Sequence, residues 1–218
     1  MTPNRPLHIT VFGATGKIGR HVIDQLLAAG HTVTAYARNP SKLPTTQPNL
    51  TVIQGGLDDP AGIDRAVAGA DAVISALGPS LKRGATGTPV SDGTRAIVAA
   101  MQAAGARRFI GLATPSIADP QDRPTLKGKL LPVLARLALP NALTELRGMT
   151  DAVTSSELDW TIARITSPND KPATGTIRSG FLGRDKVGSA MTRADIARFL
   201  ISQLTDTTYH RAAPAISN

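Results

Sequence analysis

The chain has no cysteine, and its aromatic side chains number one Trp, two Tyr and four Phe in 218 residues. The first absence excludes a disulfide framework, a thiolate metal site and a cysteine nucleophile together. The second leaves a core of Ala, Val, Leu and Ile, and little from which to build a base-stacking platform. No apolar run approaches the ~20 residues of a membrane span. The opening "MTPNRPLHIT" lacks the charged-then-apolar order of a signal peptide. The expectation is a soluble, cytoplasmic protein with no membrane partner. The four histidines, His8, His21, His31 and His210, do not cluster, so no metal site is expected.

What is present begins with charge. A formal net charge of +8 favours anionic partners, such as a phosphate-bearing cofactor or a nucleic acid. The basic residues are dispersed, the densest group being Arg123, Lys127 and Lys129. Direct nucleic-acid binding is therefore not expected. The length suits one domain with a buried core.

The chain then alternates. "LHITVF" (7–12) reads as a buried strand, and Ile18, Val22 and Leu26 place an apolar stripe on the helix that follows. Gly30 stops that helix, and "HTVTAYA" (31–37) reads as the next strand. Further strands are expected at 50–54, 71–77, 107–113 and 159–165. Helices are expected from Asp59-Pro60, over 91–105, over about 143–156 and within 191–204, where Thr192 and Asp195 have capping-box spacing. Strands alternating with helices imply an α/β fold with a Rossmann-like, doubly wound parallel sheet, here one domain over 1–218. Residues 114–142 and 166–190 follow strand ends, lack regular patterning and read as a substrate lid.

Between the first strand and helix stands "GATGKIG". Gly13 permits a tight turn, Gly16 lets a pyrophosphate approach the backbone, and Gly19 lets the helix pack close to the strand. The spacing differs by one residue from the G-x-G-x-x-G fingerprint, but its strand–turn–helix setting is the required one. A purely architectural turn is the alternative. At the end of the second strand, "YARNPSK" offers Arg38 and Lys42 where an NAD site would place an acid, which points to NADP(H). Two solvated surface cations would be the plainer reading.

With "FGATGKIG", "YARNPSKL", "GTRAIVAAMQAAGARRFI", "SSELDWTIARI" and "TRADIARFLISQL" together, the chain resembles the atypical short-chain dehydrogenase/reductase group. The likeness is to its NmrA-like and flavin/biliverdin-reductase-like members and covers nearly the whole chain. It implies that Gly13, Thr15, Gly16, Lys17 and Ile18 wrap the pyrophosphate, while Arg38 and Lys42 take the 2′-phosphate. Leu57 and Asp58 would flank the adenine, Ala76, Leu77 and Gly78 would line the ribose side, and Thr114, Thr166 and Ser167 would surround the nicotinamide. The family's Gly-Asp after the third strand is Gly55-Gly56 here, and Asp59 has the alternative role of helix cap.

Ordinary members of that superfamily use a Tyr with a Lys four residues later. Here Pro40 follows Tyr36 at that spacing and Ala213 follows Tyr209, so the pair is absent. Thr114 is the candidate catalytic residue, as an orienter of nicotinamide or substrate, with turn hydrogen bonding as the ordinary use of such a hydroxyl. Glu145 and Arg147 read as an exposed ion pair, and Arg164 as a brace at the end of the sixth strand. Two functions remain. One is an NADPH-dependent reductase of a small conjugated acceptor, a flavin or quinone, with "LLPVLARLAL" as a wall of its cleft. The other is a non-catalytic NADP(H)-binding sensor acting on a protein partner. The reductase is preferred because the chain leaves little room for a dedicated partner domain.

Overall fold

The computed structural model describes residues 5–43, 47–82, 84–124 and 139–218. The first elements are β1 (His8–Phe12), α1 (Lys17–Ala28), β2 (Thr32–Ala37), β3 (Leu50–Gln54), α2 (Pro60–Val67) and β4 (Ala72–Ser75). Then come α3 (Pro89–Ala104), β5 (Arg108–Ala113), α4 (Pro140–Thr154) and β6 (Asp159–Ile165). The chain closes with β7 (Ser167–Asn169), β8 (Arg178–Gly180), β9 (Ala190–Thr192), α5 (Arg193–Ser202) and β10 (Ala215–Ser217).

The main sheet has the order β3-β2-β1-β4-β5-β6-β10-β8. Its first six strands are parallel, in the doubly wound order 3-2-1-4-5-6, so the direction of winding reverses between β1 and β4. β10 adds parallel to β6, and β8 closes the edge antiparallel to β10. A sheet covered on both faces needs strands apolar on both sides, and β1 shows how the sequence meets that demand. Ile9 and Val11 join the cluster under α1 and α5 with Val22, Leu26, Ile196 and Leu200. Phe12 turns to the other face, with Ile63 of α2, Ile97 and Met101 of α3 and Leu146 of α4. Each such Leu or Ile, fully buried, contributes about 1.5–3 kcal/mol. Trp160, at the amino end of β6, is buried on the second face, and its indole N–H has no partner among the described residues.

Local signals act as expected at two helix starts. Asp59 accepts a bond from the Gly62 amide at 2.9 Å ahead of Pro60, which caps α2. Thr192 Oγ1 accepts from the Asp195 amide at 3.1 Å, and α5 starts at Arg193, directly after the expected cap. The reciprocal half of that capping box is not made. The Thr192 amide donates to Asn218 Oδ1 at 2.6 Å, and the Asp195 carboxylate receives the amides of Thr174 and Gly175 and the Asn218 side-chain amide.

Two expectations need correction. Segment 166–190 is not irregular: β7 and β9 pair in parallel as a small second sheet, and β8 belongs to the main one. These strands are only three residues long, too short to show a period in the sequence. Glu145 is not half of an exposed ion pair with Arg147. It is buried, and its carboxylate accepts the amides of Val90 (3.2 Å) and Ser91 (2.7 Å), serving as the N-terminal anion of α3 from a neighbouring helix. Residues 125–138 of the expected lid segment 114–142, including Lys127, Lys129 and the wall "LLPVLARLAL" up to residue 138, lie outside the described residues.

Candidate functional site

The carboxyl ends of β1 to β6 bring the expected residues to one rim of the sheet. At the end of β1, Gly13 has φ +72°, and its amide neighbour across the turn, Gly16 N, donates to Gly13 O at 3.0 Å. A Cβ on Gly13 would stand 2.7–2.9 Å from the backbone of Ala76 and Leu77, so the missing side chain also makes room for the chain leaving β4. A Cβ on Gly19 would collide with the Gly13 carbonyl, which fixes how closely α1 packs on the turn. Gly16 is the N-cap of α1, and no side chain caps that terminus. Its first amides therefore have no side-chain partner among the described residues and lie at the positive end of the helix dipole. Thr15 is half-buried, Lys17 is exposed, and Ile18 packs on the α1 cluster.

At the end of β2, Arg38 and Lys42 are exposed, and neither side chain has an ion-pair partner among the described residues. The Asn39 side chain holds the short turn Pro40–Lys42 by accepting from the Ser41 amide at 3.2 Å and its hydroxyl at 2.7 Å. No carboxylate intervenes between Tyr36 and Leu43.

The rim at β3 explains the Gly55-Gly56 departure. Tyr36 donates its hydroxyl to Gly56 O at 2.8 Å and fills the space where a Cβ of Gly55 would lie. Burial, with the Asp59 and Asp58 carboxylates, pushes this phenol's pKa up, so it remains a donor. The Asp58 carboxylate folds back over Gly56 into the volume a side chain there would need. An acid thus stands over Gly56, carried by position 58. Leu57 packs on α3, where a Cβ on Gly93 would meet its own Cβ at 2.6 Å.

Beyond the reversal point, Ala76 and Leu77 are half-buried and Gly78 is exposed. The Ala76 amide donates to Phe12 O at 2.9 Å, joining the ends of β4 and β1. Thr114, just past β5, is exposed, and its hydroxyl shares a 2.6 Å bond with Ser116. Thr166 and Ser167 are exposed at the end of β6, with the Ser167 amide bonded to Ser189 O at 3.2 Å. Among the described residues no group of three or more His, Asp or Glu side chains could hold a metal ion. Nor is any helix there long and apolar enough to cross a membrane. A cavity of about 10 Å³, room for one water, lies deeper, between Ser75, Thr94, Met149 and Thr150.

Three of the four histidines serve the scaffold. His8 bonds Gly69 O and Thr34, and His31 accepts the Leu7 amide at 3.1 Å, while His210 meets Asp159 at the opposite end of the sheet. Burial lowers the pKa of His31.

Sequence reasoning placed Arg164 as a brace at the end of the sixth strand and missed the carboxylates around it. Arg164 is fully buried at the end of β6 and forms two bonds to Asp122, at 2.5 and 2.7 Å, plus one to Ile117 O at 3.1 Å. Asp122 also accepts the Leu182 amide at 2.8 Å, and neighbouring Asp119 accepts the Ala213 amide at 2.7 Å. Burial alone would raise the Asp122 pKa, but the bonds from Arg164 and the backbone outweigh it and hold it low. An arginine inside "DWTIARI" was the visible half of this network. Nothing in "PQDRP" marks its partner.

Residues 13–207 match the protein-family model described as NAD(P)H-binding. Over 215 residues the chain is 28% identical to a (4-alkanoyl-5-oxo-2,5-dihydrofuran-3-yl)methyl phosphate reductase of Streptomyces griseus, covering 96% of this chain and 67% of the relative. It is 34% identical over 119 residues to a 3-beta-hydroxysteroid dehydrogenase of Mycolicibacterium neoaurum, covering 50% of this chain and 32% of that one. The chain thus spans between about a third and two thirds of the length of these curated relatives. Among solved structures, a short-chain dehydrogenase/reductase of Veillonella parvula in complex with NADP superposes with a TM-score of 0.79 at 21% identity, covering 98% of this chain and 95% of that one. The anaerobillin reductase ChuY of Escherichia coli O157:H7 gives 0.77 at 20% identity, with 96% of each chain covered. At these identities the structures share the fold.

Proposed function

The chain belongs to the NAD(P)H-binding family, among the atypical short-chain dehydrogenases/reductases, and on that premise we propose that it is an NADPH-dependent reductase of a small conjugated acceptor. The observation that carries the coenzyme choice is the pair Arg38 and Lys42, exposed without an ion-pair partner among the described residues, beside a helix start that no side chain caps. Guanidinium and ammonium groups attract a 2′-phosphate, and each charge-assisted bond contributes about 1.5–3 kcal/mol.

The glycine turn supports a site made of backbone. Gly13, Thr15, Gly16, Lys17 and Ile18 would receive the pyrophosphate on free amides, and Asp58 with Leu57 would border the adenine. Ala76, Leu77 and Gly78 would follow the ribose, and Thr114, Thr166 and Ser167 the nicotinamide. The coenzyme supplies the hydride when bound. On the protein's side, Thr114 orients through its hydroxyl, itself fixed by Ser116. Neither tyrosine has a lysine four residues on, so the chain has no phenol acidified in that way. That suits acceptors such as flavins or quinones, which spread the new charge and take their proton from water. Segment 166–190 and the stretch after Thr114 serve in this reading as the substrate lid.

The test is a titration with NADPH and NADH, then NADPH oxidation against quinones, flavins and conjugated carbonyls. Selective NADPH binding, weakened at least tenfold by Arg38→Ala while NADH binding stays level, is the expected result, with turnover of at least one acceptor. Equal affinity for both nucleotides would remove the coenzyme preference. Tight binding without turnover would replace the reductase by an NADP(H)-binding sensor.

A further inference from the structure

Two helices on the same face of the sheet, α1 and α5, each begin with a cation, Lys17 and Arg193. A helix N-terminus favours an anion, so each start works against its own dipole. The conflict is sharper at α1, which has neither a side-chain cap nor an acid in its first turn. One carboxylate answers both. Asp170, just past β7, lies 2.7 Å from Lys17 Nζ and 2.6 Å from the Arg193 guanidinium. Arg193 is largely buried, with 18% of its side chain exposed, so this contact is anchored from below rather than between two free surface chains.

The sheet order gives that contact its meaning. β6 is separated from β1 by β5 and β4, three strand spacings or about 14 Å. The chain leaves β6 at Thr166, yet four residues later it touches the first residue of α1, the helix that follows β1. Five extended residues span at most about 17 Å. Residues 166–170, extended where β7 pairs with β9, therefore lead from the end of β6 back towards the starts of α1 and α5. That is the side of the rim where a doubly wound sheet receives its dinucleotide.

We infer that Asp170 is a positioning residue: it latches strap 166–170 to the phosphate turn through Lys17 and Arg193, and the latch sets how fast coenzyme leaves. The inference rests on the coenzyme reading above. With NADPH seated on the α1 amides, the strap lies over the half of the molecule that extends towards β5 and β6. Release then requires the Lys17–Asp170 contact to open. Asp170 touches no reacting atom, and its effect passes through the strap.

The experiment follows NADPH release by displacement with excess NADP+ in the full-length wild type, Asp170→Asn and Asp24→Asn. Asp24 carries the same charge on the exposed face of α1 and has no ion pair among the described residues, so its variant controls for net charge. Amide hydrogen exchange at Ser167 and Lys171 in coenzyme-free protein gives a second readout that owes nothing to nucleotide. Asp170→Asn is expected to release NADPH severalfold faster and to exchange those amides faster, with Asp24→Asn matching wild type in both. Unchanged or slower release from Asp170→Asn, or unaltered exchange at the strap, overturns the latch while wild-type binding keeps the coenzyme reading intact. Absence of wild-type binding removes both.

Discussion

The two halves of the rim are held by different means. From β1 to β4 it is shaped by what is missing: no Cβ at Gly13, Gly19 or Gly55, with backbone passing where the first two side chains would be and the Tyr36 ring where the third would be. From β5 onward it is shaped by charge held in the interior, with buried Arg164, Asp119, Asp195 and Glu145 and half-buried Asp122 each tying a segment to one distant in sequence. The first half spends little on side-chain order, because close backbone approach is fixed by sterics alone. The second half depends on desolvated groups that are costly when unpaired. The halves should therefore fail differently.

The largest expected effect is on the charged side. Arg164→Met leaves Asp122 half-buried without its partner and should cost about 3–5 kcal/mol, read as a lower midpoint in urea. Changing both, Arg164→Met with Asp122→Leu, should recover part of that loss, since a buried pair replaced by apolar groups is often tolerated. A double variant no better than the single would mean that the pair's backbone bonds, to Ile117 and Leu182, matter more than its charge. Next is Gly13→Ala. It places a side chain at φ +72° and against the Ala76–Leu77 backbone, costing about 2–4 kcal/mol and abolishing nucleotide binding together with stability. If Gly13→Ala kept its melting temperature, the steric account of the first half would be lost.

Acid sharpens the contrast. Asp195 is buried and Asp122 half-buried, which alone would raise their pKa values, but their hydrogen bonds prevail and both are lowered. A carboxylate depressed in the folded state stabilises above its unfolded value, about 3.9, and that contribution disappears as pH falls through the folded value. Stability should thus decline steeply below about pH 4, and Asp195→Asn should flatten the decline. The smallest effect is local. Thr192→Val removes the α5 cap and should cost about 1 kcal/mol by thermal unfolding, with no change in NADPH affinity.

The same division governed what could be read from sequence. The succession of the first six strands along the chain, the caps at Asp59 and Thr192, and the turn at Gly13 were legible because each rests on residues a few positions apart. Apolar period, N-cap chemistry and glycine spacing are local codes. Asp122 meets Arg164 across 42 positions and Asp119 meets Ala213 across 94, and no spacing rule connects them. Glu145 was misjudged for the same reason, as its partners, the first amides of α3, lie 54 and 55 residues away. On the candidate site, the glycines, Arg38 and Lys42 were visible as types in a pattern. Tyr36 as the reason for Gly55, and Asp58 reaching over Gly56, required coordinates, since neither contact follows from the order of residues.

The placement of Trp160 has a practical consequence. It is the one tryptophan in the chain, and it sits buried at the amino end of β6, a strand's length from the rim where nucleotide is expected. Its emission therefore monitors the integrity of the sheet, while the coenzyme's own fluorescence monitors occupancy. Two colours, read in one cuvette, separate a variant that has lost its ligand from one that has lost its fold.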